Sequence, residues 1–270
     1  MSLPKNPVST IYDVAELAGV SIATVSRFLN APARVSEASR RKIVAAIDQL
    51  GFVPKAEARA RVLQGTGRIG VITPFFTSPS FVDRMRGVAE GLSKSRYELV
   101  VYTVDSVERL NNYLATLPLL GHLDGLIVMS LPVDEAAAQR LLANQLETVL
   151  IEYQHASFST ILVDDCAGGR LAAQHLLDSG HRRCAYVYFS EHPAYSIHPE
   201  TQRLAGFVEA LAEHGLTLPD ASIQYVPVSR KGIREKLAEL VLRPQPPTAI
   251  FVPADDLAIR VIHELRELGL

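Results

Sequence analysis

The 270-residue chain contains two cysteines, Cys166 and Cys184. Their spacing gives neither a disulfide framework nor a metal-binding pair, so both read as packing residues in a reducing compartment. No run of about 18 apolar residues occurs, which argues against a membrane span. The N-terminus has no apolar signal region, so the expected location is cytoplasmic. Low-complexity tracts and short repeats are also missing. A glycine-rich phosphate fingerprint does not follow the first strand-like run: Gly70 stands alone in Ile69-Gly70-Val71-Ile72-Thr73. That argues against a dinucleotide-binding dehydrogenase. Ser190, His192 and Asp164 have the residue types of a hydrolytic triad, but no nucleophile elbow accompanies them. His175 and His181, six residues apart, have no further ligands after them. Neither an enzyme nor a metal or cofactor site is expected.

Hydrophobic residues make up 48% of the chain, enough for a sizeable core, and the length leaves room for more than one domain. The net charge of −2 hides an asymmetry. Residues 1–68 hold ten Lys or Arg against five acids, while the remainder holds 17 against 24. A basic head on an acidic body suits a head that meets phosphate and a body that does not.

The head explains that charge. In residues 10–35, Thr10 and Asp13 form an approximate capping box, and Ile11, Val14, Ala15 and Ala18 share one helical face. Gly19 ends the helix in the left-handed conformation. Ser21 caps a second helix over 22–30, whose Val25, Phe28 and Leu29 pack on Val14 and Ala15. Ile22, Ala23, Ser26 and Arg27 are left on the outer face. This is the pattern of a helix-turn-helix, which puts the first turn of its second helix into the major groove. Arg27 suits a guanine edge or a phosphate, and Thr24 and Ser26 suit phosphates. A third helix, opened by Val35-Ser36 and closed by Gly51, buries Ile43, Val44, Ile47 and Leu50. Together these helices make a three-helix bundle with its own core.

Beyond the head, residues 54–68 form a linker in which Lys55–Leu63 suits a short helix, marginal on its own. Short apolar runs then alternate with helical patterns. Strands are predicted at 69–73, 98–104, 124–129, 147–151, 160–163, 184–189, 223–226 and 248–252. Helices are predicted near 81–95, 107–117, 134–144, 167–179, 201–214, 230–241 and 255–268. This alternation predicts parallel sheets covered on both faces, in two doubly wound lobes. Ligands bind beyond the carboxyl ends of strands in such folds. Phe75, Phe76 and Phe81 follow the first strand, Glu152 the fourth, Asp164 and Asp165 the fifth, and Asp255 the run 248–252. Arg203 opens a helix after the long loop 190–200. Carboxylates suit hydroxyl-rich ligands, and arginine suits a carboxylate, phosphate or hydroxyl pair.

Tyr12-Asp13-Val14-Ala15, Gly19-Val20-Ser21, Thr24-Val25-Ser26-Arg27, Asn30, Val35-Ser36 and Gly51-Phe52-Val53-Pro54 together resemble the head of the LacI/GalR family of bacterial repressors. Weaker similarity runs to the last residue. The resemblance implies an all-α helix-turn-helix head (1–53) and a hinge helix with linker (54–68). It also implies a periplasmic-binding-protein-like α/β body (69–270), with lobes at about 69–166 and 167–270. The expected DNA contacts are then Thr10, Tyr12, Ser21, Ile22, Ala23, Thr24, Ser26, Arg27, Asn30 and Arg34, with Lys55, Ala58 and Arg61 in the hinge. Arg61 stands where the family places a wedge leucine in the minor groove. Either Val62 or Leu63 takes the apolar role, or Arg61 reads a narrow groove electrostatically.

For the effector, Gln202-Arg203-Leu204-Ala205-Gly206-Phe207 resembles the family's R-x-x-G-[FW] motif. Pro247–Ala258 resembles its P-T-A-[IV]-x…N-D-x-x-A segment, with Asp255 at the aspartate and Ala254 in place of its polar neighbour. Phe75, Phe81, Glu152, Arg203 and Asp255 are the resulting effector candidates. The expected function is a homodimeric regulator, a repressor, on a pseudo-palindromic double-stranded operator, controlled by a sugar-like or nucleoside-like effector. The alternative is a sugar- or solute-binding protein without DNA function. The family pattern continues past the position of Leu270, so the second lobe is expected to lack strands.

Overall fold

The computed structural model describes residues 9–52 and 65–270. It divides into two compact units, Met1–Leu162 with Ala194–Ile197, and Val163–Pro193 with His198–Leu270.

The first unit begins with α1 (Ile11–Ala18), α2 (Ile22–Asn30), a short 3-10 turn (Pro32–Arg34) and α3 (Glu37–Leu50). Local chemistry sets each boundary. The Thr10 backbone N–H and hydroxyl both donate to Asp13 Oδ2, at 2.6 and 2.7 Å. Gly19 takes φ 62° and Gly51 φ 57°, which a residue with a Cβ adopts only at a cost. Ser21 Oγ accepts from Thr24 N at 3.1 Å, and Ser36 Oγ accepts from Ser39 N. Val14, Ala15, Ala18, Val25, Phe28, Ile43 and Ile47 form the buried head core.

The body of this unit is a five-stranded parallel sheet in the order β2-β1-β3-β4-β5. Its strands are β1 (Arg68–Thr73), β2 (Glu98–Thr103), β3 (Gly125–Met129), β4 (Glu147–Ile151) and β5 (Ser159–Ile161). Helices α4 (Pro79–Leu92), α5 (Val107–Leu120) and α6 (Glu135–Ala143) connect them. Entry into β1 is clamped by Asp124, whose carboxylate accepts from Thr66 N at 2.5 Å and Gly67 N at 2.9 Å. Burial opposes the Asp124 charge, but the two amide donors outweigh it and hold its pKa below the usual carboxylate value.

Three differences from the sequence-based expectation follow. The helix predicted to stop at 117 runs on to Leu120 with Pro118 inside it, because Leu117 and Leu119 are buried. Leu119 joins the head core, so that core is not made by the head alone. The polar contacts of α3 run the same way: Arg140 of α6 grips Asp48 through two 2.7 Å hydrogen bonds. The strand predicted at 160–163 stops at Ile161, and Leu162 and Val163 are exposed connecting residues.

The second unit holds a three-stranded parallel sheet, β7-β6-β8. The strands are β6 (Cys184–Phe189), β7 (Ile223–Val226) and β8 (Ala249–Phe251). Around them lie α7 (Asp165–Asp178), α8 (Pro199–Glu213), α9 (Arg230–Val241) and α10 (Asp255–Glu267). Helix α7 begins two residues before the predicted start because Asp164 Oδ1 caps it, accepting from Ala167 N at 2.8 Å. Strand β6 is buried along its length and carries Tyr186 and Tyr188 into an aromatic layer with Phe207 and Phe251. Cys184 packs in the same core, and burial raises its thiol pKa, as expected of an unreactive packing residue.

One contact fixes the second unit's helices. A Cβ on Gly169 of α7 would lie 1.9 Å from the Arg203 carbonyl oxygen, and one on Gly206 of α8 would lie 1.9 Å from that of Cys166. The two helices therefore cross backbone to backbone. The glycine of the Arg203-x-x-Gly206 motif is needed for this approach.

Candidate functional site

On the head, the first turn of α2 holds no acidic residue. Its backbone N–H groups and dipole thus present an unopposed positive end, which favours phosphate. Ile22, Ala23 and Arg27 are exposed beside it, as are Tyr12 of α1 and Arg34 of the 3-10 turn. Ile22 is an apolar side chain 43% exposed on a helix start, well suited to a thymine methyl. Other candidates are committed internally. The Ser21 and Thr24 hydroxyls bond each other at 2.8 Å, and the Thr10 hydroxyl is held by Asp13. Ser26 is half-buried and Asn30 is the last residue of α2. Capping thus accounts for Thr10, Ser21 and Thr24 without any DNA. Lys55, Ala58 and Arg61 lie outside the described residues.

In the first unit, the carboxyl edge of the sheet carries three non-glycine residues with positive φ: Phe75 (46°), Ser130 (54°) and Glu152 (61°). They follow the ends of β1, β3 and β4. These positive-φ residues gather at the edge where sheets of this kind bind ligands, in a backbone region that costs a residue with a side chain. Phe75 is partly exposed and packs edge-on against buried Phe81, with centroids 5.7 Å apart, and against Tyr195 at 6.3 Å. Glu152, only 7% exposed at its side chain, pairs with Arg84 Nη2 at 2.5 Å and accepts from the Ser130 hydroxyl. The Arg84 guanidinium sits 4.9 Å from the centre of the Phe81 ring. Glu152 is thus largely engaged within the protein. Arg84, 28% exposed, is the more accessible charge. Sequence reading missed Arg84 and Ser130. Ser130 directly follows a predicted strand, and Arg84 stands one helical turn from Phe81, so strand-end and i, i+3 arguments were the available signals.

In the second unit, Arg203 lies in the first turns of α8. Its Nε donates to Asp165 Oδ1 at 2.8 Å, and its Nη1 donates to the Pro253 carbonyl at 2.6 Å. The fork is oriented by two partners while its side chain stays 29% exposed. Asp165 is thus a positioning partner, and Asp164 is a helix cap. Asp255 is exposed in the first turn of α10, two residues past the carbonyl that Arg203 binds.

Linear spacing predicted no metal set. The fold nevertheless gathers His192, His198 and Glu200, whose ligand-capable atoms all lie within 4.8 Å of one another. Their sequence spacing places two of them in a long loop, where no periodicity predicts which side chains meet. No helix among the described residues is long and apolar enough to cross a membrane.

Residues 10–55 match "Bacterial regulatory proteins, lacI family", and residues 173–270 match "Periplasmic binding protein-like domain". The chain is 31% identical over 276 residues to catabolite control protein A of Priestia megaterium, covering 97% of this chain and 78% of that protein. It is 31% identical over 267 residues to the ribose operon repressor of Escherichia coli strain K12, covering 97% and 79%. Among solved structures, the lac repressor dimer bound to operator and the anti-inducer ONPF matches with a TM-score of 0.63 at 25% identity, covering 98% of this chain and 79% of that one.

Proposed function

Because this chain belongs to the lacI family of bacterial regulatory proteins, we propose that it represses transcription as a homodimer on a pseudo-palindromic operator under the control of a small effector. The acid-free, exposed start of α2 carries this reading, since it leaves Ile22, Ala23 and Arg27 facing outward on a helix built for the major groove. Two heads related by a two-fold axis read two half-sites, and the hinge around Lys55, Ala58 and Arg61 joins head to body in this proposal. We read the chain as head (1–53), hinge (54–68) and effector body (69–270). A regulator of this kind works in the cytoplasm, beside the chromosome, and has no catalytic role.

The effector in this reading is a hydroxyl-rich, sugar-like molecule. In the second unit an oriented arginine (Arg203) and an exposed carboxylate (Asp255) support it; so, taken by itself, does the partly exposed Phe75 ring of the first unit, and so does the ribose operon repressor among the relatives. The effector acts only through a difference in affinity between the DNA-competent and DNA-released states.

The test is an operator selected from random duplexes, then bound by wild type and Arg27→Ala. Loss of discrimination by about 1–3 kcal/mol at one base pair of each half-site is expected. Unchanged selectivity overturns the role of Arg27. Salt-independent binding of a sugar with no duplex selected at all would instead favour a solute-binding protein without DNA function.

A further inference from the structure

The strongest unexplained cluster is His192, His198 and Glu200, all in the second unit, in and after the loop that joins β6 to α8. His198 Nδ1 lies 3.2 Å from Glu200 Oε1, and His192 Nδ1 lies 3.5 Å from the same oxygen. The two imidazoles stand edge-to-face with centroids 4.9 Å apart. A tetrahedral ion with bonds of about 2.0–2.1 Å separates its ligand atoms by about 3.3 Å. Both edges to Glu200 Oε1 fall close to that value, and the ligand-capable atoms of all three residues lie within 4.8 Å of one another.

The surroundings anchor the segment that carries the donors. The buried Tyr186 hydroxyl donates to the Glu200 carbonyl at 2.8 Å, which ties the α8 start to the β6 core. The Thr201 hydroxyl donates to the His198 carbonyl at 2.7 Å. The His192 ring packs on Tyr188, with centroids 5.9 Å apart. The two hydrogen bonds fix the backbone from which His198 and Glu200 project, and the ring contact limits where the His192 imidazole can go.

We propose that His192 Nδ1, His198 Nδ1 and Glu200 Oε1 bind one divalent transition metal of the zinc class. Two imidazoles and one carboxylate suit zinc and its neighbours rather than magnesium or calcium, which take all-oxygen sets. Three protein donors leave a fourth position open to water or to an oxygen of a bound ligand. Glu200 and Arg203 are three residues apart on α8 and so share a face. A metal held by Glu200 sits within a helical turn of the arginine that the effector reading uses, but the metal site stands without that reading.

The experiment titrates untagged full-length protein with Co²⁺ and records the visible spectrum, with Zn²⁺ competition. One Co²⁺ per chain with the strong d–d absorption of a four-coordinate ion, displaced by Zn²⁺, is expected. His192→Gln and His198→Gln should each weaken binding by more than about tenfold, and exposed His175→Gln should leave it unchanged. Unfolding midpoints in EDTA confirm that the variants fold. Undiminished binding by the His192→Gln/His198→Gln double variant overturns the proposal, as does a wild type that takes up no Co²⁺. Selection of an operator by that same double variant separates failure of the metal site from failure of the regulator reading.

Discussion

Adjacent glycines on α7 give a test with its own internal control. An added Cβ at Gly168 meets nothing within 4 Å, whereas at Gly169 it lies 1.9 Å from the Arg203 carbonyl oxygen, 2.8 Å from its carbon and 2.9 Å from Phe207 N. A carbon approaches a carbonyl oxygen no closer than about 3.3 Å, so Gly169→Ala has to part the helices by more than about 1 Å. The obstacle is backbone, which no rotamer change moves aside. Alanine gains about 1 kcal/mol over glycine in a helix, and overpacking costs about 3 kcal/mol at the upper end of its usual range. Gly169→Ala should therefore lose about 2 kcal/mol of stability, and Gly168→Ala should gain up to about 1 kcal/mol. Urea unfolding read by tyrosine fluorescence and circular dichroism measures both. The clash falls on the carbonyl of Arg203 itself, so the Gly169 variant should also lose its effector response at the operator. Equal stability of the two variants would refute the close-crossing argument, whatever the DNA result.

Glu152→Gln removes the carboxylate that holds Arg84 and the Ser130 hydroxyl at the strained β3 and β4 ends. It should cost about 2 kcal/mol, as expected for hydrogen bonds to charged groups, with a lower urea midpoint as the readout. Glu264 is the second unit's buried acid, paired with Arg230 at 2.5 Å and Arg234 at 2.6 Å. Burial alone raises its pKa, but the two guanidinium hydrogen bonds outweigh it and leave it below the ordinary carboxylate value. A lowered folded-state pKa stabilises the fold above the unfolded pKa, and that stability is lost as pH falls through the folded value. Glu264→Gln should therefore be less stable than wild type at pH 7, with the gap closing below about pH 4. A gap that stays constant down to pH 3 would rule this out.

The head was legible in the sequence because its boundaries are local events. A cap, a left-handed glycine and an i, i+3, i+4 stripe act within a few residues, and α1, α2 and α3 begin and end where Thr10, Gly19, Ser21, Ser36 and Gly51 place them. The alternation of β-rich runs and helices likewise specified parallel layers, and 147–151, 184–189 and 223–226 match their strands end to end. Ends that depend on burial were less visible: Pro118 stays helical because its neighbours pack, and β5 stops at Ile161 where the chain leaves the sheet.

By itself, the sequence determined the family, the helix-turn-helix, the strand end that carries Glu152 and the helix starts that carry Arg203 and Asp255. Only the tertiary structure decided what those groups are free to do. It engages Glu152 with Arg84 and Ser130, orients Arg203 through Asp165 and Pro253, and requires glycine at 169 and 206 because two backbones touch there. It also brings His192, His198 and Glu200 together. The physical reason is range: propensity and periodicity act over one or two turns, whereas hydrogen-bond partnership and coordination depend on which distant segments the core brings together.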